Sequence, residues 1–479
     1  MMVEDAAGQL GLQLNREKSE VVCHDPHILR SFLSAAPGFR VTSPEVVTLL
    51  GAPLSDSVED CILEKVQTLK VLEDRIHRFQ LQDALLLLRY SLAAPRMTYL
   101  LRTSPCFSSP SLHIFDELPR RILSSICNIP IATMDKLWMQ ASLPVRYGGL
   151  GLRSVVQLAP SAFLSSVNAT YDLVDRLLPL NVRTAPYVEV EAALTTWSRG
   201  HSQAPLSTPA SFSQKAWDTP VVKAVVDRLL ESASDERSRA RLLASTCKES
   251  GAWLNALPLS QCGLRMDNET VRLAVGLRLG APLCYPHQCR HCDNEVDELA
   301  THGLSCRWSE GRLPRHAAIN DIVCRSLVAA KVPSRLEPNG LYRSDGKRPD
   351  GISLAPWKNG KCLIWDATCP DTYAPSHLAV AAGGAGEVAE QAEQAKCLKY
   401  SALESKFFFV PIAIETSGVF GPSAYTFLKD LGSRLMSVTM DSQARHYLFQ
   451  RISVAVQRGN AASVLGTLRK DSEDLDCYI

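Results

Sequence analysis

Apolar residues recur at steps of three and four positions through about Leu178, which is the spacing of helices that bury one face. One long stripe of this kind covers the range Cys61–Phe79. A second helix is predicted over Asp83–Ala93 and ends before Pro95. The spacing is lost near residues 198–215, which are rich in Pro, Ser and Gln, so we predict a linker there.

The periodicity changes after residue 311. Leu313–Ala330 has the spacing of an amphipathic helix, and two apolar runs around a turn lie within Arg348–Cys369. A helix rich in Ala, Glu, Gln and Lys follows at Glu387–Leu403, and Phe407–Glu415, FFFVPIAIE, predicts another strand. This order of helix, hairpin, helix and strand predicts a compact α/β sheet domain with helices on its faces. The whole chain is therefore predicted to be an α+β multidomain protein.

Each predicted hairpin strand carries one carboxylate. Asp350 opens the first run and Asp366 lies inside the second. Side chains alternate along a strand, so the register decides whether the two acids share a face. A two-residue turn at Asn359-Gly360, with Lys358 opposite Lys361, would put them on opposite faces. A metal that cleaves phosphodiesters needs both acids together, so we expect either a three-residue loop or a β-bulge.

Two lysines of the following helix could compensate the charge of these acids. Lys396 and Lys399 lie on one stripe of the predicted helix, with Tyr400 beside it. Such a lysine could orient or deprotonate an attacking water, or stabilise charge on a phosphate. The alternative is a solvated face on which Glu390 and Glu393 form ordinary ion pairs with the two lysines.

A cysteine and histidine cluster precedes this domain. Cys289 and Cys292 form a C-x2-C pair, and His302 and Cys306 follow as H-x3-C. Two such pairs can complete the tetrahedron of a zinc ion, and four protein ligands leave no position for a substrate. The pattern therefore predicts a structural zinc. The identity of the fourth ligand stays open, because three further candidates lie nearby: Cys284, His287 and His291.

Composition restricts the class of protein only broadly. The chain has 479 residues, of which 46% are hydrophobic, enough for about two to four domains. No apolar run approaches the roughly 20 residues of a membrane helix, and the N-terminus lacks the order of a signal peptide, so we expect an intracellular protein. The 15 cysteines have no regular spacing, which indicates a reducing compartment without a disulfide framework.

The charge of the whole chain does not point to nucleic acid. A formal net charge of +1 means that any such contact must come from a local patch. Lys331–Arg348 is a basic run that is either a solvated loop or a binding face. We name Lys347 and Arg348 in this run, and Arg315 and His316 in the preceding helix, as candidate contacts to nucleic acid. His316 is alternatively a surface histidine without a ligand.

The order of these motifs resembles the C-terminal half of non-LTR retrotransposon proteins that carry a restriction-like endonuclease. That family places a CCHC zinc knuckle before a nuclease of the PD-(D/E)xK fold. The resemblance implies that Asp350 and Asp366 hold a catalytic magnesium ion, and that Lys396 and Lys399 with Tyr400 complete the catalytic site. This chain has Thr368 where ordinary restriction enzymes have the lysine, and the resemblance implies that the lysine has moved to the next helix.

The first half of the chain resembles the same proteins. Gly11–Val22, GLQLNREKSEVV, looks like the segment after the catalytic aspartates of retroelement reverse transcriptases, and Leu49–Leu54 and Leu143–Ser154 also recur in such proteins. No Y/F-x-D-D sequence precedes Gly11. We therefore expect a truncated open reading frame that does not copy RNA into DNA.

The resemblance divides the chain into four predicted segments. Residues 1–155 are predicted to be the end of a reverse-transcriptase palm and a helical thumb, and 156–280 a helical connector. Residues 281–310 are predicted to be the zinc knuckle, and 311–479 the endonuclease domain. The predicted protein is nuclear, nicks DNA, and has DNA and element RNA as partners, without a membrane. The alternative is a catalytically inactive, nucleic-acid-binding remnant of a retroelement.

Overall fold

The computed structural model describes residues 2–53, 58–177, 188–200, 213–341 and 348–468. These residues are mainly helical with small sheets, which confirms the predicted α+β class. Most of the linker predicted near residues 198–215, and Lys347, lie outside the described residues. No helix in the described part of the chain is long and apolar enough to cross a membrane.

Eighteen α-helices and ten strands are found in the described residues. The helices are α1 (Met2–Gln9), α2 (Pro26–Ala35), α3 (Val58–Ile76), α4 (Leu81–Leu87), α5 (Ala94–Thr103), α6 (Ser111–Cys127), α7 (Asp135–Ala141), α8 (Val155–Leu177), α9 (Val188–Arg199), α10 (Gln214–Glu231), α11 (Glu236–Thr246), α12 (Asn268–Leu279), α13 (His302–Ser305), α14 (Arg312–Ala329), α15 (Leu378–Gly383), α16 (Glu387–Tyr400), α17 (Pro422–Thr439) and α18 (Ala444–Leu465). The strands are β1 (Glu20–Val21), β2 (Arg40–Val41), β3 (Thr48–Leu49), β4 (Ala52–Pro53), β5 (His287–Gln288), β6 (Glu295–Val296), β7 (Ser334–Leu336), β8 (Gly351–Lys358), β9 (Lys361–Thr368) and β10 (Phe408–Ala413).

The chain forms two compact units that do not follow the order of the sequence. Unit 1 comprises Met1–Val71, Pro95–Asp116 and Val155–Asp218. Unit 2 comprises Leu72–Ala94, Glu117–Ser154 and Thr219–Ile479. The four-part division proposed from the sequence stays a prediction.

Unit 1 is mainly helical, with two small strand pairs near its N-terminus. The side chain of Asp116 accepts a hydrogen bond of 2.8 Å from the backbone N–H of Val155, so it satisfies a free donor where α8 begins. Trp197 of α9 packs edge to face on Trp217, with ring centroids 5.1 Å apart, and its indole N–H donates to the Trp217 carbonyl. These contacts fix α9 in the core of this unit.

Unit 2 contains a four-stranded sheet in the order β10-β9-β8-β7. Strands β9 and β10 are parallel, and the other neighbouring pairs are antiparallel. Alternate residues of the central strands, including Leu363, Trp365 and Ile412, form an apolar core with α14, α17 and α18. The predicted order of helix, hairpin, helix and strand is confirmed as α14, β8–β9, α16 and β10, with β7 added before the hairpin and the short helix α15 added after it.

The hairpin between β8 and β9 has a two-residue turn. With regular pairing, this turn would put Asp350 and Asp366 on opposite faces of the sheet. Lys358 pairs with Lys361 around Asn359-Gly360, so the three-residue loop was wrong. An unbroken ladder from this turn would place Ile352 opposite Ala367. Its partner is Ile364, three residues earlier, because two register shifts lie in between. This odd displacement is the effect expected of β-bulges, and it returns the residue before Gly351 to the face of Asp366.

Candidate active site and metal centre

The four predicted zinc ligands converge at one point of unit 2. The ligand atoms of Cys289, Cys292, His302 and Cys306 all lie within 4.8 Å of one another. Cys292 Sγ is 3.2 Å from His302 Nε2 and 3.8 Å from Cys306 Sγ, and Cys289 Sγ is 3.9 Å from Cys306 Sγ. Sulfur atoms around a tetrahedral zinc lie about 3.8 Å apart, since each Zn–S bond is about 2.3 Å long. The cluster could therefore bind zinc.

A short hairpin and a short helix position these ligands. The turn between β5 and β6 carries Cys289 and Cys292, and its backbone closes through the N–H of Cys289, which donates to the carbonyl of Asn294 at 2.9 Å. The N–H of Asn294 in turn donates to the Cys292 sulfur and is the largest cause of the lowered pKa of that thiol. This hydrogen bond favours the thiolate, which is the form that binds a metal. His302 begins α13, and Cys306 follows it.

The three alternative ligands have other partners. His287 Nε2 lies 3.0 Å from the hydroxyl of Thr467, and His291 lies 3.8 Å from a carboxylate oxygen of Glu310. The thiol of Cys284 donates to a backbone carbonyl. The structure thus favours His302 and Cys306 as the second ligand pair.

Glycines allow the zinc cluster to lie directly on α18. A side chain at Gly303 would collide with the backbone of Ser463, and one at Gly311 with the carbonyl of Gly459. The backbone N–H of Arg290 also donates to the carbonyl of Thr467 at 3.0 Å. Because α14 begins directly after Gly311, the cluster sets the position of the first turn of that helix.

Asp366 lies in β9, and Asp350 directly precedes β8, the neighbouring strand. The backbone N–H of Asp350 donates to the Trp365 carbonyl at 2.9 Å, so its pairing continues the ladder beyond the start of β8. Its Oδ2 atom accepts from the N–H of Ala367 at 2.7 Å, which brings this carboxylate next to the residue that follows Asp366. Asp366 is only 4% exposed. Burial of a carboxylate is costly unless positive groups or hydrogen bonds compensate it.

Both candidate lysines supply this compensation. Lys396 Nζ donates to Asp366 Oδ1, and Lys399 Nζ lies 3.4 Å from Asp366 Oδ2. The predicted alternative, a solvated face of helix ion pairs, is wrong for Glu393. That side chain is buried and accepts hydrogen bonds of 2.8 and 2.9 Å from the N–H groups of Ala424 and Ser423, at the start of α17.

His316 contacts the first acid rather than lying alone at the surface. Its Nε2 atom is 3.0 Å from Asp350 Oδ2. The hydrogen bond with Asp350 raises the pKa of His316 and outweighs the opposing effect of burial. Burial tends to raise the pKa of Asp350, but the hydrogen bond and charge of His316 and the N–H of Ala367 together hold that pKa below its ordinary value.

The remaining predicted residues have different environments. The Tyr400 hydroxyl donates to the Arg348 carbonyl at 3.0 Å and so ties α16 to the segment before Asp350. The Arg348 side chain forms an ion pair with Glu337. Arg315 is 2% exposed and donates to Asn460 Oδ1 at 2.8 Å. A buried guanidinium cannot reach a phosphate backbone, so Arg315 is corrected from a nucleic-acid contact to a core residue.

The chain was compared with protein-family models and with curated proteins. No protein-family model matches the chain, and no curated protein matches it. The resemblance to retrotransposon endonucleases therefore rests on the motifs quoted above and stays a prediction.

Sequence reasoning missed the role of Glu415. It follows β10, where an acid is ordinarily a surface residue, but it is 1% exposed. Its Oε1 atom accepts from the N–H of Ala389 in the first turn of α16, and its Oε2 atom accepts from the hydroxyls of Thr372 and Ser417. Burial raises the pKa of Glu415 despite these hydrogen bonds. Its burial could have been predicted from its position directly after an apolar run, because an acid next to buried residues needs hydrogen-bond partners.

Proposed function

We propose that the region from α14 to α17 is a metal-dependent endonuclease that nicks DNA. The observation that carries this proposal is the proximity of the two acids: Asp350 accepts from the N–H of Ala367, the residue after Asp366, and Lys396 contacts Asp366. Two carboxylates and an adjacent ammonium group are a donor set suited to cleaving a phosphodiester. The order of the zinc cluster, RPDG, WDAT and KCLKY motifs supports the same class of protein.

Magnesium fits these residues better than a softer metal. It is usually bound through one or two carboxylates together with water and substrate phosphate oxygens. Asp350 and Asp366 would hold it, and Asp350 has an oxygen, Oδ1, besides the one that accepts from His316 and Ala367. The thiol and imidazole donors of the zinc cluster suit a different metal with a structural role.

The proposed reaction is hydrolysis of one DNA strand. A water oxygen forms a bond to phosphorus, and the bond between phosphorus and the 3′ oxygen breaks. The water loses one proton to solvent and the 3′ oxygen takes one up, which leaves a 5′ phosphate and a 3′ hydroxyl. A bound magnesium ion would supply positive charge at the phosphate oxygens. Lys396 and Lys399 would orient the water and stabilise the negative charge that develops.

The partners follow from this reaction. We propose that DNA is the substrate and that the protein acts in the nucleus. In an intact element, the resemblance implies that the 3′ hydroxyl of the nick primes reverse transcription, which would make element RNA a second partner. Arg348 is the candidate for a phosphate contact near Asp350, since its side chain is 28% exposed.

A nicking assay tests the proposal. Supercoiled plasmid is incubated with the zinc-loaded chain and Mg²⁺, and conversion to the relaxed circle is measured for the parent, Asp350→Ala and Asp366→Ala. We expect nicking in the parent and its loss in both variants. Asp321→Ala is the matched control, because Asp321 is a half-exposed acid of α14 that forms an ion pair with Arg325 along the helix. Undiminished nicking in both aspartate variants would refute the site.

An inactive remnant that binds nucleic acid is the alternative. The pairing of Asp366 with both lysines is compatible with this reading, because it neutralises the buried acid without a metal. A parent chain that binds DNA but does not nick it with Mg²⁺ or Mn²⁺ would support the remnant and reject the nuclease.

A further inference from the structure

We infer that a polar relay from Trp365 through Asn320 and His316 fixes the Asp350 carboxylate in the orientation that binds the metal. This inference rests on the proposed function, because it concerns the same site. It makes His316 and Asn320 positioning residues, which act through Asp350 and do not touch the substrate themselves.

The relay ends at the acid. Asp350 Oδ2 accepts from two directions, from the Ala367 N–H at 2.7 Å and from His316 Nε2 at 3.0 Å. These contacts lie on different elements, one on β9 and one on α14. A carboxylate held by two donors at one oxygen has little freedom to rotate, so its other oxygen keeps a fixed direction.

The relay begins in the core. Trp365 is fully buried, and its indole N–H donates to Asn320 Oδ1 at 3.0 Å. This hydrogen bond fixes which end of the Asn320 amide faces the tryptophan, so the Nδ2 group points to His316 and lies 3.4 Å from both ring nitrogens. Because His316 Nε2 donates to Asp350, Nδ1 is the nitrogen that can accept from Asn320. Asn320 is 5% exposed, and a buried amide of this kind is retained only where its groups have partners.

Gly351 makes room for the relay. A side chain at this position would overlap the six-membered ring of the Trp365 indole. The glycine therefore allows the indole to cross over the start of β8 towards Asn320. The PDG and WD motifs are thus joined physically, because Gly351 lies against the indole of Trp365 and Asp350 accepts from the N–H of Ala367.

A positioning role accounts for His316 better than direct metal binding. Among the described residues, the only group of three or more His, Cys, Asp or Glu side chains whose ligand atoms converge is the zinc cluster. His316 therefore does not form such a group with Asp350 and Asp366. Groups that orient a metal ligand typically change metal affinity or activity by roughly 10- to 100-fold when they are removed.

The test separates metal affinity from the chemical step. Binding of Mn²⁺ to the zinc-loaded chain without DNA, and plasmid nicking over a range of Mg²⁺ concentrations, are measured for the parent, His316→Ala, His316→Gln and Asn320→Ala. The Mn²⁺ dissociation constant should rise by the same factor as the Mg²⁺ concentration for half-maximal nicking. We expect His316→Ala to raise the Mg²⁺ concentration for half-maximal nicking by about 10- to 100-fold, with a smaller loss of rate at saturating Mg²⁺. His316→Gln should recover part of this loss, because its amide can donate to Asp350. Arg325→Ala, an exposed position of the same helix, is the control and should match the parent.

Circular dichroism and the thermal midpoint show whether His316→Ala folds. If it does not, Asn320→Ala still tests the inference. It should raise the same Mg²⁺ concentration, by a smaller factor. A folded His316→Ala or Asn320→Ala variant with the parent's Mg²⁺ dependence would overturn the relay alone. No nicking by the parent, or undiminished nicking by Asp350→Ala, would instead refute the proposed function.

Discussion

A buried carboxylate between two lysines is the residue on which the account depends most. Asp366 is 4% exposed and lies inside an apolar strand, yet its two oxygens contact Lys396 and Lys399. Removing one partner of a buried ion pair costs more than the pair contributes, because the other charge is left unsatisfied. The stability and the chemistry of this site can therefore be separated by mutation.

Lys396→Met should destabilise the protein by about 1–3 kcal/mol, since it leaves Asp366 with a weaker contact to Lys399 alone. The double variant Lys396→Met/Asp366→Asn should regain most of that free energy of unfolding, because the buried carboxylate is then neutral and the partly exposed Lys399 ammonium can be solvated. It should not regain nicking. Urea unfolding of the three proteins measures the first effect, and the plasmid assay measures the second. A double variant less stable than Lys396→Met would contradict the charge argument.

Several site residues could be predicted from the sequence because the evidence is local. The spacing of Cys289, Cys292, His302 and Cys306 is enough to nominate a zinc cluster, which the geometry supports. The 3.6-residue period of a helix is enough to place Lys396 and Lys399 together. The contact of His316 with Asp350 was not predictable, because it depends on how α14 packs against the sheet, and no periodicity within one element reports that.

At the scale of elements, the register of the β8–β9 hairpin decides the site. The sequence predicts both strands and limits the turn to two cases. It does not locate the bulges, because a bulge is defined by which residues of the two strands pair, and the sequence of one strand does not report its partner's register. Pro356, which lies between the two register shifts, is a residue that cannot donate to a ladder. A proline inside a predicted strand indicates irregular pairing, so the position of Pro356 could have indicated a bulge.

Helix α16 carries both lysines, and Glu415 binds its first turn. Burial raises the pKa of Glu415, so the folded chain holds this proton more tightly than the unfolded chain does. Its contribution to the free energy of unfolding is therefore fully present below the unfolded pKa, about 4.3, and is lost as the pH rises through the higher folded pKa.

Glu415→Gln should remove this dependence. Relative to the variant, the parent should gain stability as the pH falls from 7.5 towards about 4.5, by about 1.4 kcal/mol for each unit of pKa shift. Urea unfolding of both proteins at several pH values provides the measurement, and the difference between them isolates Glu415 from other acids. A difference that stays constant over this range, or grows with rising pH, would show that Glu415 does not bind its proton as proposed.

At the scale of the whole molecule, unit 2 joins the zinc cluster to the sheet. The cluster lies on α18, which packs into the same core as the central strands, and α14 leaves the cluster to carry His316. Zinc binding should therefore stabilise the sheet as well as the cluster. Among the described residues outside unit 2, no group of three or more His, Cys, Asp or Glu ligand atoms converges. The resemblance of Gly11–Val22 to reverse transcriptases stays a prediction.

Removing zinc should lower the thermal midpoint and reduce nicking together. At a free zinc concentration 100 times its Kd, binding contributes about 2.7 kcal/mol, which corresponds to a shift on the order of 4 °C for a unit of this size. Cys292→Ser should not bind zinc, as measured by mass spectrometry of the metal content, and its thermal midpoint should be lower than that of the parent. Cys284→Ser should keep the metal, because Cys284 lies outside the cluster. Equal zinc content in both variants would contradict the assignment of ligands.

The central claim is that Asp350 and Asp366 share one divalent cation. Binding of Mn²⁺, as a paramagnetic substitute for Mg²⁺, to the zinc-loaded chain tests this most directly, with free Mn²⁺ counted by electron paramagnetic resonance. We predict one Mn²⁺ site per chain in the parent, and its loss in both Asp350→Asn and Asp366→Asn, with folding unchanged by circular dichroism. Mn²⁺ binding by either folded variant with the affinity of the parent would contradict the claim.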